Sequence, residues 1–579
     1  MRGPASGGRR TSSRAAHTGA VPGALWALLG AIFLALPLKS QSVVHLSIIQ
    51  PGGMPGLPVM IGITDGTNSV TMTWDGPSGY YQLYQKSNSL GAAWVAFGKP
   101  TNLMRYAVVS KLFNNGFFRV SGPSPLYAGA PTCADCHQNI YQTQTNTPHA
   151  MAFQSLQAVG QYTNADCLAC HTVGYGLPTG FIYTNGMFLN TYLEGVQCEN
   201  CHGPAGNHAA NPADPTVVPR VELAAQVCGG CHSGPQTPTY DEWSTSGHAT
   251  VTPDALAVIN SSTNNINGCG VCHSGSVRLA LIQGENPAVT LTNDVDVAIT
   301  CAVCHDPHAT NVNPAQLRNP MFSTNDFHFV STNIASVAAF TNSYEASADI
   351  NLCAHCHNDR GAAWTDTSRA PHRSLQYNFL LGTVGELAGG EPGFDFVPHV
   401  GLPSSTNYSI SGTFYLTNQC AACHMQADAP PACGNSHALT VSYTVCANCH
   451  DGQAAQAALT PLLSNQVAAV ISGLNEWAAR QAPPQLITNG VVPWEYSTAG
   501  GLTWQTNSSG AVTGWSLQDT VNFSGPNAAG QALIPDTIKQ ARFDLYLVVS
   551  DGSMGVHNPF YALELLSSAQ EFILEQLEE

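Results

Sequence analysis

Charge is the scarcest commodity in this 579-residue chain: Asp, Glu, Lys and Arg make up 9% of it, against about 25% in an ordinary soluble protein. Basic residues are fewest, at nineteen against thirty-six acids. Five of the nineteen (Arg2, Arg9, Arg10, Arg14 and Lys39) fall in the first forty positions, which carry no acid. The rest of the chain therefore sets fourteen basic residues against thirty-six acidic ones. Such a surface repels phosphate backbones, and nucleic-acid binding is not expected. Free cysteine is also nearly absent. Of nineteen cysteines, eighteen fall in one repeated pattern, and Cys433 alone stands outside it. Cys433 is expected to be a buried, inert thiol.

The pattern is Cys-x-x-Cys-His. It occurs nine times: Cys133, Cys136 and His137; Cys167, Cys170 and His171; Cys198, Cys201 and His202; Cys228, Cys231 and His232; Cys269, Cys272 and His273; Cys301, Cys304 and His305; Cys353, Cys356 and His357; Cys420, Cys423 and His424; Cys446, Cys449 and His450. At this composition chance supplies about 0.02 copies. Two thiols at this spacing add to the two vinyl groups of one haem, and the adjacent histidine reaches the iron. Disulfides require no histidine after every second cysteine. Zinc knuckles combine ligand pairs two by two into tetrahedra, and nine is odd. Nine haem c groups are therefore expected. No motif ends in lysine, which argues against a nitrite-reductase variant.

The chain resembles the multihaem c-type cytochromes from about Ala128 onward. The likeness is to tetrahaem and octahaem members of the kind related to hydroxylamine oxidoreductase and tetrathionate reductase. It rests on the motifs and on Cys198-Glu-Asn-Cys-His-Gly-Pro with His208 after it, Cys301-Ala-Val-Cys-His-Asp-Pro-His308, Ser246-Gly-His248-Ala and Gly555-Val-His557-Asn-Pro.

Every iron bound on one face needs a ligand on the other. Setting aside the nine motif histidines, His17 and His45 near the N-terminus, and His355, pinned inside its own motif, leaves nine. His149, His208, His248, His308, His372 and His557 stand in contexts that the resemblance implies are distal ligands. His328, His399 and His437 rest on the count alone. His308, three residues past His305, is expected one helical turn on and directed at a neighbouring iron.

Residues 1–42 read as a secretion signal: a basic start, then an apolar run, Val21–Leu38. No cysteine follows that run, so no lipid anchor is expected, nor any stable membrane span after removal of the signal. Export to the periplasm or cell surface follows. Residues 43–123 lack cysteine and show alternating runs at 69–74, 80–85, 94–98, 105–110 and 116–120. Thr73-Trp74-Asp75, Tyr81-Gln-Leu-Tyr84 and Phe117-Phe-Arg-Val120 resemble a fibronectin type III module, a small all-β sandwich serving docking or spacing. Residues 124–131 read as a linker. Residues 132–579 read as one α plus irregular cytochrome domain, its segments too short for separate apolar cores and its interior dominated by haem. Two helices are expected to close it: one over 462–480, capped by Thr460-Pro461, and one from Asn558-Pro559.

Electron transfer through bis-histidine haems is the first functional expectation. Partners would be redox proteins, basic ones by charge, or other copies of the chain. An oxidoreductase acting on a small nitrogen or sulfur compound at one five-coordinate haem is the second, and haem or electron storage the third.

Overall fold

The computed structural model describes residues 59–121 in part, covering the strands given below, and residues 126–388, 419–426, 436–498, 502–506, 512–517 and 525–578 apart from short gaps. The expected signal, His399, Cys433 and Cys449 lie outside the described residues.

The N-terminal part forms two three-stranded antiparallel sheets. One has the order β1 (Val59–Asp65), β2 (Ser69–Asp75), β5 (Tyr106–Ser110). The other has the order β4 (Val95–Asn102), β3 (Tyr80–Ser87), β6 (Gly116–Ser121). The five alternating runs are all strands, and β1 is a sixth. It escaped the pattern because Gly62 interrupts its apolar alternation, where the register with β2 also shifts. Met72, Leu83 and Gln85 are buried.

From Ala130 to Asn448 the described chain is mostly short helices and loops, with one small strand pair, Ile182–Thr184 and Met187–Leu189. Each of the nine motifs overlaps a helical or 3-10 element, from Ala130–Cys133 to Tyr443–Asn448. A one-turn helix puts residues three apart on the same face, which brings the two thiols of each motif to one side.

Protein side chains supply more interior than the sequence suggested. The largest apolar cluster lies at the C-terminus, where the helices Gly452–Arg480, Asp536–Asp551 and Pro559–Glu578 pack together through Leu463, Val467, Trp477, Leu547, Leu565 and Ile573. Smaller clusters surround Phe153 and Phe181, Val277 and Leu281, and Ile350 and Tyr377.

Three helix expectations are corrected. The first helix starts at Gly452, not Leu462. Asp451 caps it by accepting a hydrogen bond from the Ala454 N–H at 2.9 Å, and Pro461 sits inside it. Thr460 does not cap; its hydroxyl donates back to the Gln456 carbonyl at 3.0 Å. By length and composition this helix would suit a membrane span, but its Leu463–Trp477 face is buried in the C-terminal cluster. The Asp536–Asp551 helix, the most deeply buried of the three, had no sequence signal: its apolar residues run together from Leu545 to Val549 and give no stripe. The last helix begins at Pro559 as expected, with the Asn558 side chain accepting from the Tyr561 N–H at 3.2 Å.

Candidate haem-binding sites

Six motif histidines each face one of the candidate distal histidines. The ring centres of His149 and His232 are 6.0 Å apart, His202 and His308 5.9 Å, His248 and His357 6.4 Å. Those of His273 and His372 are 6.0 Å apart, His305 and His437 6.3 Å, His424 and His557 6.2 Å. Metal–imidazole bonds of about 2.0 Å, plus about 1.1 Å from each nitrogen to its ring centre, put two imidazoles on one metal about 6.2 Å apart. Direct ring stacking would bring them closer. The pairs therefore suit an iron between them.

The outer nitrogens are tied down as ligand histidines require. Nδ1 of His171, His202 and His305 lies 2.7, 2.6 and 2.7 Å from the carbonyls of Ala152, Arg220 and Ala315. A carbonyl can only accept, so each Nδ1 carries the proton and Nε2 is left for metal. Two arginines brace these loops in the same way: Arg220 Nε donates to the Cys201 carbonyl at 2.7 Å and Arg318 Nε to the Ala302 carbonyl at 3.0 Å. His372 Nδ1 donates to Ser374 Oγ at 2.9 Å, because the Ser374 hydroxyl is spent on the Asn358 carbonyl at 2.8 Å. His557 Nδ1 meets Asp551 Oδ1 at 2.6 Å. Asp551 ends its helix, and Gly552 takes φ 75° there to turn the chain toward His557.

Position comes from long-range contacts. The His437 N–H donates to Glu242 at 2.8 Å. The His248 carbonyl accepts from Ile299, whose own carbonyl accepts from the Trp243 indole at 2.9 Å. In the third motif, the buried Glu199 carboxylate accepts from the N–H groups of Gly129 at 2.8 Å and Ala205 at 2.7 Å, binding the approach to the first motif onto the third.

Burial holds most of these rings neutral, the form that binds metal. It lowers His149, His232, His273, His357 and His424, and takes His248 and His372 to about 4. His557 differs. Burial pulls it down, but the Asp551 carboxylate outweighs that and raises it.

Thiols of different motifs lie close enough to shift one another's acidity: Cys133 with Cys198, Cys170 with Cys231, Cys228 with Cys301, Cys272 with Cys356 and Cys353 with Cys420. Cys228 and Cys231 lie in the field of Cys201, Cys353 in that of Cys304, and Cys423 in that of Cys446. None of the seventeen described cysteines is in a disulfide. Among the described residues no three His, Cys, Asp or Glu side chains converge as a metal site, so the tetrahedral zinc arrangement is not formed.

A continuous cavity of about 2540 Å³ runs through the second to ninth motifs, lined by at least one cysteine of each, by all their histidines except His202, and by His149, His248, His372, His437 and His557. Paired thiols, facing imidazoles and one shared cavity fit haem c.

Not every candidate is placed so. His308 pairs with His202 as a neighbour's ligand, but not from a helix: the backbone leaves the helix at His305 (φ −105°, ψ 140°). His437, supported only by the count, faces His305. His328 is half-exposed with Nδ1 2.6 Å from Asp359. No facing histidine ring is found among the described residues for His137, His171, His208 or His450. Sequence reasoning missed Asp551, Ser374, Arg220 and Arg318. Ser374 and Asp551 are near their histidines in sequence, two residues after His372 and six before His557, whereas Arg220 and Arg318 act from farther away.

Residues 132–203 match the family model for cytochrome c554 and c-prime. The chain is 29% identical over 124 residues to cytochrome c-554 of Nitrosomonas europaea, covering 18% of this chain and 52% of that protein. It is 27% identical over 299 residues to the C-type polyheme cytochrome OmcB of Geobacter sulfurreducens, covering 48% of this chain and 37% of that one. The chain thus spans about half, or less, of these curated relatives. The crystal structure of the outer cell wall cytochrome OcwA aligns with 77% of this chain and 99% of its own, at TM-score 0.45 and 18% identity. In its repeated motif this chain is similar to multihaem c-type cytochromes such as cytochrome c-554 and OmcB.

Proposed function

We propose that the chain is an exported electron carrier holding nine haem c groups, mostly with two histidines per iron. The observation that carries this reading is the set of six facing histidine pairs. Haem c, when bound, supplies a one-electron Fe(III)/Fe(II) couple. Two imidazoles on an iron leave no position for substrate, and without methionine ligation the couple is comparatively reducing. The residues do the rest. Each motif would hold one group through its two cysteines and its histidine. The distal histidines, drawn from other segments, would supply the second ligand.

The thiol contacts order the motifs. Contacts and close neighbours connect the first motif to the third, fourth, sixth, seventh, eighth and ninth in turn. The second joins at the fourth, and the fifth joins at the seventh. Each thiol would become a ring substituent, so attached groups would neighbour one another in this same order. Residues 1–42 serve export and residues 43–123 form a fibronectin type III-like sandwich for docking or spacing. Partners are other redox proteins or further copies of the chain, met in the periplasm or at the cell surface.

A second reading is an oxidoreductase for a small nitrogen or sulfur compound. It rests on His137, His171 and His450, which have no facing ring among the described residues. Electron paramagnetic resonance of the oxidised holoprotein separates the two. Low-spin ferric signals alone support the carrier. A stoichiometric high-spin signal that changes on adding nitrite or hydroxylamine selects the enzyme. Intact mass reports the number of attached haems.

A further inference from the structure

Gln419, the residue before the first cysteine of the eighth motif, has a backbone that side chains rarely tolerate: φ 39° and ψ −114°. Glycine takes such angles without strain, and other residues keep them only where the surroundings hold them there. Here the side chain does the holding. It is 4% exposed and fully engaged. Oε1 accepts from Asn351 Nδ2 at 2.7 Å and from the Ser323 N–H at 3.2 Å, while Nε2 donates to the Ser323 carbonyl at 2.6 Å. The orientation of the amide is forced. Turned over, it would set donor against donor and acceptor against acceptor at Ser323.

Asn351 is the other half of the bridge. It is fully buried and lies two residues before the seventh motif. Its Oδ1 accepts from the Cys353 N–H at 2.8 Å, and its Nδ2 donates to the Met321 carbonyl at 2.5 Å as well as to Gln419. One chain of hydrogen bonds thus runs from the backbone of Cys353, through two side-chain amides, to the residue bonded to Cys420. Satisfied buried networks of this kind are rigid. Gln419, Cys353 and Cys420 all line the shared cavity. The strain at 419 is therefore carried where the seventh motif meets the eighth.

We infer that Gln419 is a positioning residue that fixes the haem attached at Cys353 and Cys356 against the haem attached at Cys420 and Cys423, and so sets the electronic coupling between them. Coupling between two macrocycles falls steeply with separation and changes with tilt, so a rigid link between the first cysteines of two motifs controls both. Glycine would satisfy the backbone at 419 and methionine would fill the space, but neither could bind Ser323 and Asn351. This inference rests on the electron-carrier reading and names a residue that governs one of its contacts.

The test is Soret circular dichroism of the holoprotein carrying Gln419→Gly, which relaxes the backbone and deletes the amide, or Gln419→Met, which keeps the length and deletes the polar atoms. Neighbouring haems give an exciton couplet whose amplitude reports their separation and tilt. Both variants are expected to keep the parent's haem count by mass and its low-spin signals, and to lose part of the couplet. When the eighth haem is removed by Cys420→Ala with Cys423→Ala, adding Gln419→Met should change the couplet no further. A residue that only packs would lower the melting temperature and leave the couplet as in the parent. That result overturns the inference, as does a change that persists without the eighth haem. Should the Gln419 variants lose haem, Asn351→Asp decides, because it keeps the acceptor for the Cys353 N–H and removes the donor to Gln419. A high-spin signal in the parent that responds to nitrite counts against the carrier reading and leaves the couplet result standing.

Discussion

Replacing His308 with alanine tests the site geometry most directly. His308 and His202 lie 5.9 Å apart with their planes only 6° from parallel, whereas His149/His232 and His273/His372 stand at 66° and 70°. Parallel imidazoles split the iron's two out-of-plane d orbitals and give a well-resolved rhombic low-spin spectrum. Nearly perpendicular ones leave the orbitals close in energy and give a broad, highly anisotropic signal. An alanine methyl cannot reach across to the iron, so His308→Ala should leave that iron high-spin. With six pairs reduced to five, the low-spin intensity from pairs should fall by about one sixth, and a high-spin signal worth about one iron should appear. The loss should come from the rhombic part. Added imidazole should reverse it. His149→Ala should instead remove intensity from the anisotropic part. An unchanged His308→Ala spectrum, or loss of the anisotropic component in its place, would refute the pairing.

Asp551→Asn removes the carboxylate that makes the His557 ring a stronger donor, so the midpoint of the haem at Cys420 and Cys423 should rise in a redox titration. Buried Glu495 is held up to about 7, chiefly by burial, against an ordinary value near 4.5. Between those values the folded chain binds more protons than the unfolded one, so stability falls as pH rises through that window. Glu495→Gln should flatten the decline in denaturant melts, which amounts to about 3 kcal/mol. Trp477 is fully buried in the C-terminal cluster, and Trp477→Ala should destabilise by about 3–5 kcal/mol with motif haems still attached. Deleting residues 43–123 should leave the haem content by mass unchanged. Loss of haem would make those strands part of the haem fold.

What was legible in the sequence follows from range. The motif thiols and proximal histidines are local in the chain, and a spacing of three is enough to announce them. Strands β2 to β6 were visible because alternation is also local. The distal pairing was not visible, because His149 and His232 are brought together by contacts such as the one between the Val196 N–H and the His149 carbonyl, which no local pattern encodes. His437 shows the same thing from the other side: nothing beside it marks it as a ligand, and it is Glu242, far away in sequence, that holds its backbone. The Asp536–Asp551 helix was missed because a helix buried all round loses the stripe that betrays an amphipathic one.

The histidine pairs also set a timetable. A chain emerging from its N-terminus has already delivered His149 when Cys228–His232 arrives, and His248 when Cys353–His357 arrives. On the proposed reading, the irons at His202, His273, His305 and His424 would wait longer: the rings that face these histidines, His308, His372, His437 and His557, emerge later. Until then those four irons would be open to whatever small ligand the compartment contains. Each late histidine would close a loop as it bound, and the final helix, with His557 at its entrance, would be the latch.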